Sequence, residues 1–218
     1  MTATHRTLTL PPPLENGDRL TRDEFERRYT AQPEIKKAEL IAGQVYMASP
    51  LHARAHGQPH ARIMGWLIAY EVAMPGVEAL DNATVRLDAD NEPQPDALLR
   101  MIEGGQSQLS EDDYVVGAPE LIIEIAASSA SIDLHDKLQA YCRNQVQEYL
   151  VWRVYDQEFD WYYWREGRYE RLELNDAGLL CSTQFPGLWL DKAALLAGDL
   201  AQVLAVLQQG LAVLLDLR

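Results

Sequence analysis

Asp96 follows Pro95 at the head of the apolar run Ala97-Leu98-Leu99, and Glu124 lies inside Leu121-Ile122-Ile123-Glu124-Ile125-Ala126. An acid at the rim of a strand-type run is anchored by its neighbours in the core while its carboxylate reaches a cleft. Two such acids on adjacent strands make a hard-oxygen site of the kind that Mg²⁺ or Mn²⁺ takes, with several waters retained. Lys137 follows on a segment that reads as helix, and an ammonium near such a metal can orient a water or help to deprotonate it. That chemistry is metal-dependent hydrolysis of phosphodiesters. Plainer readings exist. Asp96 could be a turn acid after proline, and Lys137 a solvated helix lysine. Glu124 has a weak one, because a lone carboxylate within Leu-Ile-Ile-Glu-Ile is costly to bury.

These residues need elements to hold them. Thr21 and Glu24 have capping-box spacing and predict a helix over about 22–30. Lys37 to Ile41 and Gln44 to Ala48 read as a hairpin turning at Ala42-Gly43. A helix carries Ile63, Met64, Leu67, Ile68 and Val72, with Pro59 near its first turn and Pro75-Gly76 as its stop. Short strands follow at 77–80, 84–87 and 97–102, then a loop over 103–117. The unbroken run 121–126 predicts a central strand covered on both faces. Ser131 or Asp133 caps a helix to about Arg143. Further strands are read at 148–152, 158–165 and 168–174, the last two turning at Glu166-Gly167, and a final helix runs over 199–216.

At 218 residues, one domain with a sizeable core is expected. The net charge of −14 argues against a broad basic surface that coats nucleic acid. Cys142 and Cys181 are read as thiols of a reducing cytoplasm. Residues 1–10 show no signal-peptide pattern. The apolar tail from Leu200 to Leu217 is interrupted by Gln202, Gln208, Gln209 and Asp216, so no membrane span is expected. A cytoplasmic location follows as an expectation.

Further strings carry a resemblance: Glu39-Leu40-Ile41-Ala42-Gly43, Met47-Ala48-Ser49-Pro50 with His56-Gly57, Pro95-Asp96, Glu124 through Lys137, Glu148-Tyr149-Leu150-Val151 and Phe185-Pro186-Gly187-Leu188. In order and spacing the chain resembles a large bacterial family of restriction-endonuclease-like proteins in the PD-(D/E)xK nuclease superfamily, over about residues 22–196. The resemblance implies an α/β (α+β) fold, a restriction-endonuclease-like mixed β-sheet flanked by helices. We expect that domain at 19–198, an extended arm at 1–18, and a C-terminal helix at 199–218 packing on the domain or on a dimer partner. Asp96 and Glu124, with the Ile125 carbonyl, would hold Mg²⁺ (or Mn²⁺). Lys137 would be the catalytic lysine, Glu39 an auxiliary acid, and His56 a site histidine in competition with His60. The superfamily's lysine normally stands two residues after the glutamate; here that position is Ala126, and Lys137 would replace it from the following helix. Trp152 is a second departure, where many relatives carry an acid.

The implied function is a Mg²⁺-dependent endonuclease that cleaves DNA to 5′-phosphate products, working as a homodimer. The alternatives are a catalytically inactive nuclease-fold module, or a nuclease acting on RNA or structured DNA with a partner. Gln94 could line the cleft. Ser128, Ser129 and Ser131 shape a turn and cap a helix, and their backbone N–H groups could meet a phosphate. Asp133 suits a helix N-terminus and lies at i, i+4 from Lys137. Trp161, Tyr162, Tyr163, Trp164 and Tyr169 could stack bases, but alternating strand faces put half of them in the core.

Overall fold

The structure, a computed structural model, describes residues 11–48 and 51–216. Residues 1–10 of the expected arm, Ser49 and Pro50 of the Met47–Pro50 string, and residues 217–218 lie outside it. The chain runs α1 (Arg22–Thr30), β1 (Ala38–Ile41), β2 (Gln44–Met47), α2 (Gln58–Ala73), β3 (Val77–Asp81), β4 (Val85–Arg86), β5 (Ala97–Met101), β6 (Gln108–Leu109), β7 (Val115–Val116) and β8 (Leu121–Ala126). It continues through α3 (Ala130–Ile132), α4 (Leu138–Arg143), β9 (Glu148–Arg153), β10 (Glu158–Arg165), β11 (Arg168–Arg171), β12 (Leu180–Cys181), β13 (Trp189–Leu190), α5 (Lys192–Ala197) and α6 (Leu200–Asp216). The π-helical turns Ala53–Gly57 and Asp133–Lys137 lead into α2 and α4.

Six strands form the main sheet in the order β11-β10-β9-β8-β5-β3. Within it β8 and β9 run parallel and every other neighbour is antiparallel. The fold is therefore α+β around a mixed sheet. On one face, Ile63, Trp66 and Leu67 of α2 pack with Val203, Leu207 and Leu211 of α6 against Ala97, Leu121, Ile123 and Leu150. On the other, Tyr141 and Val146 cover Leu98, Ile122, Tyr149 and Val151. Both faces of β8 are buried, which explains why its sequence shows no alternation.

Several expectations change. The loop expected at 103–117 holds β6 and β7, which join β4 in a small three-stranded sheet anchored by buried Val85 and Val115. Two-residue strands leave no periodic pattern to read. Thr21 sits at the α1 N-cap without a side-chain cap bond, and the Glu24 carboxylate, the other half of the expected capping box, is taken by Arg27 and Arg28. The helical stretch after β8 begins earlier than expected, at Ala130, with Ser129 before it bonded to Asp133 rather than to a helix N–H. The arm is docked at its C-terminal end: Leu14 is buried, and Gly17 N–H donates to the Val45 carbonyl at 2.8 Å.

The apolar stripe of α6 turns inward, with Val203, Leu207 and Leu211 in the core and Leu200 and Leu204 packed beside it. A Cβ on Gly210 would stand 2.8 Å from the Trp189 ring, so α6 lies close against β13. The stripe, expected to pack on the domain or on a dimer partner, is thus spent on the domain. The aromatic hairpin is spent likewise. Trp161 is buried, Tyr162 and Tyr169 stack on Tyr149, and Trp164 Nε1–H donates to the Cys142 carbonyl.

The β1–β2 hairpin docks through Leu40 and Glu92, which exchange backbone bonds of 3.1 and 2.7 Å. The Glu92 side chain is buried, and its Oε2 has no hydrogen-bond partner among the described residues. Burial and the neighbouring Glu26 carboxylate push its pKa from 4.5 up to about 8, against the pull of Arg86 and Arg22. The folded state therefore holds this proton more tightly than the unfolded chain. Stability is full below about pH 4.5 and is lost as pH rises through about 8. Glu92→Gln should melt near the wild-type temperature at pH 4.5 and progressively above it towards pH 8. Identical melting curves for the two proteins at both ends of that range would refute the assignment.

Candidate active site

The β5–β8 register pairs Ala97 with Ile123. One step further along, Asp96 stands across from Glu124, and both share the sheet face of Leu98, Ile122 and Ala126. The Ile125 N–H donates to Asp96 Oδ2 at 2.7 Å, so a carboxylate takes the place of a backbone acceptor where the ladder ends. Asp96 Oδ1 lies 3.1 Å from His56 Nε2 and 3.8 Å from Lys37 Nζ. Burial works to raise the Asp96 pKa, but His56, Lys37 and the Ile125 N–H outweigh it and hold the group below its usual value. His56 arrives on the π-helical turn before α2 and is buried. His60, one turn on, places Nε2 2.9 Å from the Asp96 carbonyl and 3.0 Å from Asp81 Oδ1. The two histidines thus divide the work, one on the Asp96 carboxylate and one on its backbone.

Glu124 Oε1 accepts from Lys137 Nζ at 2.9 Å and from the Tyr141 hydroxyl at 2.8 Å. Lys137 Nζ lies equally close to Glu39 Oε1, at 2.9 Å, and 3.8 Å from Asp133 Oδ1. Glu39 projects from β1 and also accepts the Gln94 N–H at 2.7 Å. Asp133 Oδ2 accepts from Ser129, while its Oδ1 is buried without a hydrogen-bond partner among the described residues. Burial works against the Lys137 ammonium, yet Glu124, Glu39 and Asp133 together raise its pKa well above the ordinary lysine value. Burial pushes Glu124 up to about 8, opposed by Lys137 and reinforced by Asp133, Asp96 and Glu39.

Asp96, Glu124, Lys137, Glu39 and His56 therefore converge, as does Gln94 through its backbone. Ile125 contributes its N–H; its carbonyl, expected as a metal ligand, accepts from Ala127 N–H at 3.1 Å. Three neighbours were missed from sequence. Tyr141 stands at i, i+4 from Lys137, and Lys37 at i, i+2 from Glu39 on one strand face, so both carried a spacing signal. Tyr149, which donates to the Asp133 carbonyl at 3.0 Å, passes for an ordinary core aromatic. The family string at Glu148 proves to be an anchor: its carboxylate accepts from Ser182, Thr183 and Gln184 and pins the loop before β13.

Three acids thus share one lysine, and Asp96 stands beside them with two histidines and a second lysine on its own side. The profile of the Uma2 family, described as "Putative restriction endonuclease", matches residues 22–193. The chain belongs to this family. A crystal structure of "a putative nuclease" from Anabaena variabilis has the same fold, with a TM-score of 0.61 at 15% identity, over 78% of this chain and 96% of that one. No curated protein matches. None of the described helices is long and apolar enough to cross a membrane.

Replacing Lys137 tests the cluster directly. Lys137→Met leaves Glu39, Glu124 and Asp133 without their shared cation, and breaking a buried pair costs about 3–5 kcal/mol. Urea denaturation should show that loss as a lower midpoint with an unchanged slope. An unshifted midpoint would mean that the three acids do not depend on this ammonium.

Proposed function

We propose that the chain is a Mg²⁺-dependent (or Mn²⁺-dependent) endonuclease that hydrolyses DNA phosphodiesters. The observation that carries this reading is the opposition of Asp96 and Glu124 on one sheet face, with Lys137 on Glu124. The donor set fits such an ion. Asp96 and Glu124 are hard oxygen ligands, and Glu124 Oε2 accepts no hydrogen bond from the described residues. Among the described residues, no three His, Cys, Asp or Glu side chains converge as a ready-made cage. That sparse set suits Mg²⁺, which takes one or two carboxylates and keeps its waters.

When bound, the ion would polarise the phosphate and lower the pKa of a coordinated water. The chain's own residues do the rest. His56, Lys37 and the Ile125 N–H keep Asp96 ionised and aimed. Tyr141 and Lys137 fix Glu124, and Lys137 offsets the charge that Glu39 and Asp133 bring. Support comes from the family and from this geometry; DNA as the substrate is part of the proposal.

A second reading, an inactive nuclease-fold module, draws on Ala126 at the parent lysine position and on the full engagement of Lys137. Calorimetry and cleavage assays separate the two. Asp96→Asn and Glu124→Gln keep shape but lose the charge that the ion needs. Each should fold, lose site-specific Mg²⁺ or Mn²⁺ binding, and cleave DNA slower by roughly a thousandfold or more, the several kcal/mol of charge stabilisation that the ion supplies. Site-specific ion binding by the unmodified chain without cleavage of DNA, RNA or branched DNA would favour the inactive module.

A further inference from the structure

An ammonium has three N–H donors. In Lys137 they face Glu39 and Glu124 at 2.9 Å each and Asp133 at 3.8 Å, and the side chain is 6% exposed. With two contacts at 2.9 Å and near-complete burial, this lysine balances buried charge and is closed off from an incoming phosphate, although Asp133 Oδ1 lies beyond hydrogen-bond reach. Its position accounts for the stability of the carboxylate cluster and leaves the substrate side of the cleft without a cation from the turn before α4.

Lys37 is held differently. It precedes β1, and its carbonyl accepts the Ala48 N–H, which extends the hairpin ladder and sets Lys37 on the same side as Glu39. Its Nζ reaches Asn82 Oδ1 at 3.3 Å, while Asp96 Oδ1 stays at 3.8 Å, beyond a hydrogen bond. The side chain is 24% exposed, against 7% for Asp96 beside it. One long contact leaves donors free, at the open rim of the carboxylate pair, on a four-carbon stem that can swing.

We propose that Lys37 is the substrate-contacting cation of this site, donating to a non-bridging oxygen of the phosphodiester that lies against Asp96 and Glu124, while Lys137 serves as the buried counter-ion of Glu39, Glu124 and Asp133. The inference rests on the nuclease reading above. It assigns the two roles of a motif lysine to two residues: charge balance inside the core, and phosphate contact at its rim. It also gives Asn82 a part, since its carboxamide oxygen steadies the Lys37 ammonium from the strand side.

The test uses fluorescence anisotropy with a labelled duplex DNA, in Ca²⁺ and in EDTA over a range of salt concentrations, alongside thermal melting and calorimetric Mg²⁺ titration. Lys37→Gln should melt like the unmodified chain, and the Mg²⁺ titration reads separately what Asp96 loses with its neighbour's charge, while duplex binding in EDTA reads the phosphate contact alone. It should bind duplex roughly tenfold more weakly, with a salt slope smaller by about one. Lys37→Arg should restore most of the affinity. Lys137→Met should lower the melting temperature and leave the salt slope unchanged. Equal affinity and equal slope in Lys37→Gln and the unmodified chain would overturn the role of Lys37 alone. Binding of neither duplex DNA, single-stranded DNA nor RNA by the unmodified chain would overturn the nuclease reading, and this role with it.

Discussion

The Lys137 ammonium is the interaction on which the rest of the site depends. Carrying an ion into a protein interior costs several kcal/mol even after relaxation, and two buried carboxylates with a third half-buried beside them would not remain there alone. Glu124 comes from the central strand, Glu39 from the N-terminal hairpin and Asp133 from the helical turn after β8. Each element is held near the others because each brings an acid to the same cation. The Leu40–Glu92 backbone exchange that docks the hairpin and the Tyr141 hydroxyl one helical turn beyond Lys137 both serve that convergence.

Backbone irregularity supplies the aim. His56 and Lys137 both sit on π-helical turns, a wide winding that re-points the side chains it carries and is common at functional sites. On a regular helix entered at Ser129, Lys137 would be rotated relative to Asp133 and Tyr141. The end of the β5–β8 ladder contributes in the same way. Asp96 accepts a strand N–H with its side chain, which locks its carboxylate across from Glu124 without a loop rearrangement. Glu39, Glu124 and Asp133 stand on a strand, a strand and a helical turn, and Asp96 at the foot of β5 is tied down by its bond from Ile125 N–H.

The long periodic elements were legible because they bury a whole face: β8, α2 and α6 stand where apolar runs place them. Glu124 was legible for the opposite reason, as a charge where the pattern forbids one. Lys137 was legible only through the resemblance, since its helical spacing equally describes a solvated residue. Lys37 and Tyr141 were missed because contacts between distant segments are decided by docking, which leaves no local trace beyond a spacing that many residues share. The same limit explains the α6 stripe. Amphipathicity shows that a face is buried, but does not say whether the chain's own domain or a partner covers it, and here the domain does. The strands at 108–109 and 115–116 are too short for any period to appear.

If the proposed substrate is right, this acidic chain meets a polyanion with few cations to spare. Most here are already committed to surface pairs: Arg86 to Glu26 and Asp112, Arg143 to Asp88 and Asp90, Arg153 to Asp156 and Asp160. Such pairs add little stability each, but they remove the arginines from any broad electrostatic footprint. Nonspecific adhesion to a duplex, which scales with the number of neutralised phosphates, is correspondingly small. On the proposed reading, attraction would be concentrated where charge is unspent, at the rim beside Asp96. A protein built this way would engage a phosphodiester at one point and release the rest of the strand readily. That fits an enzyme that samples a substrate better than a protein that coats one.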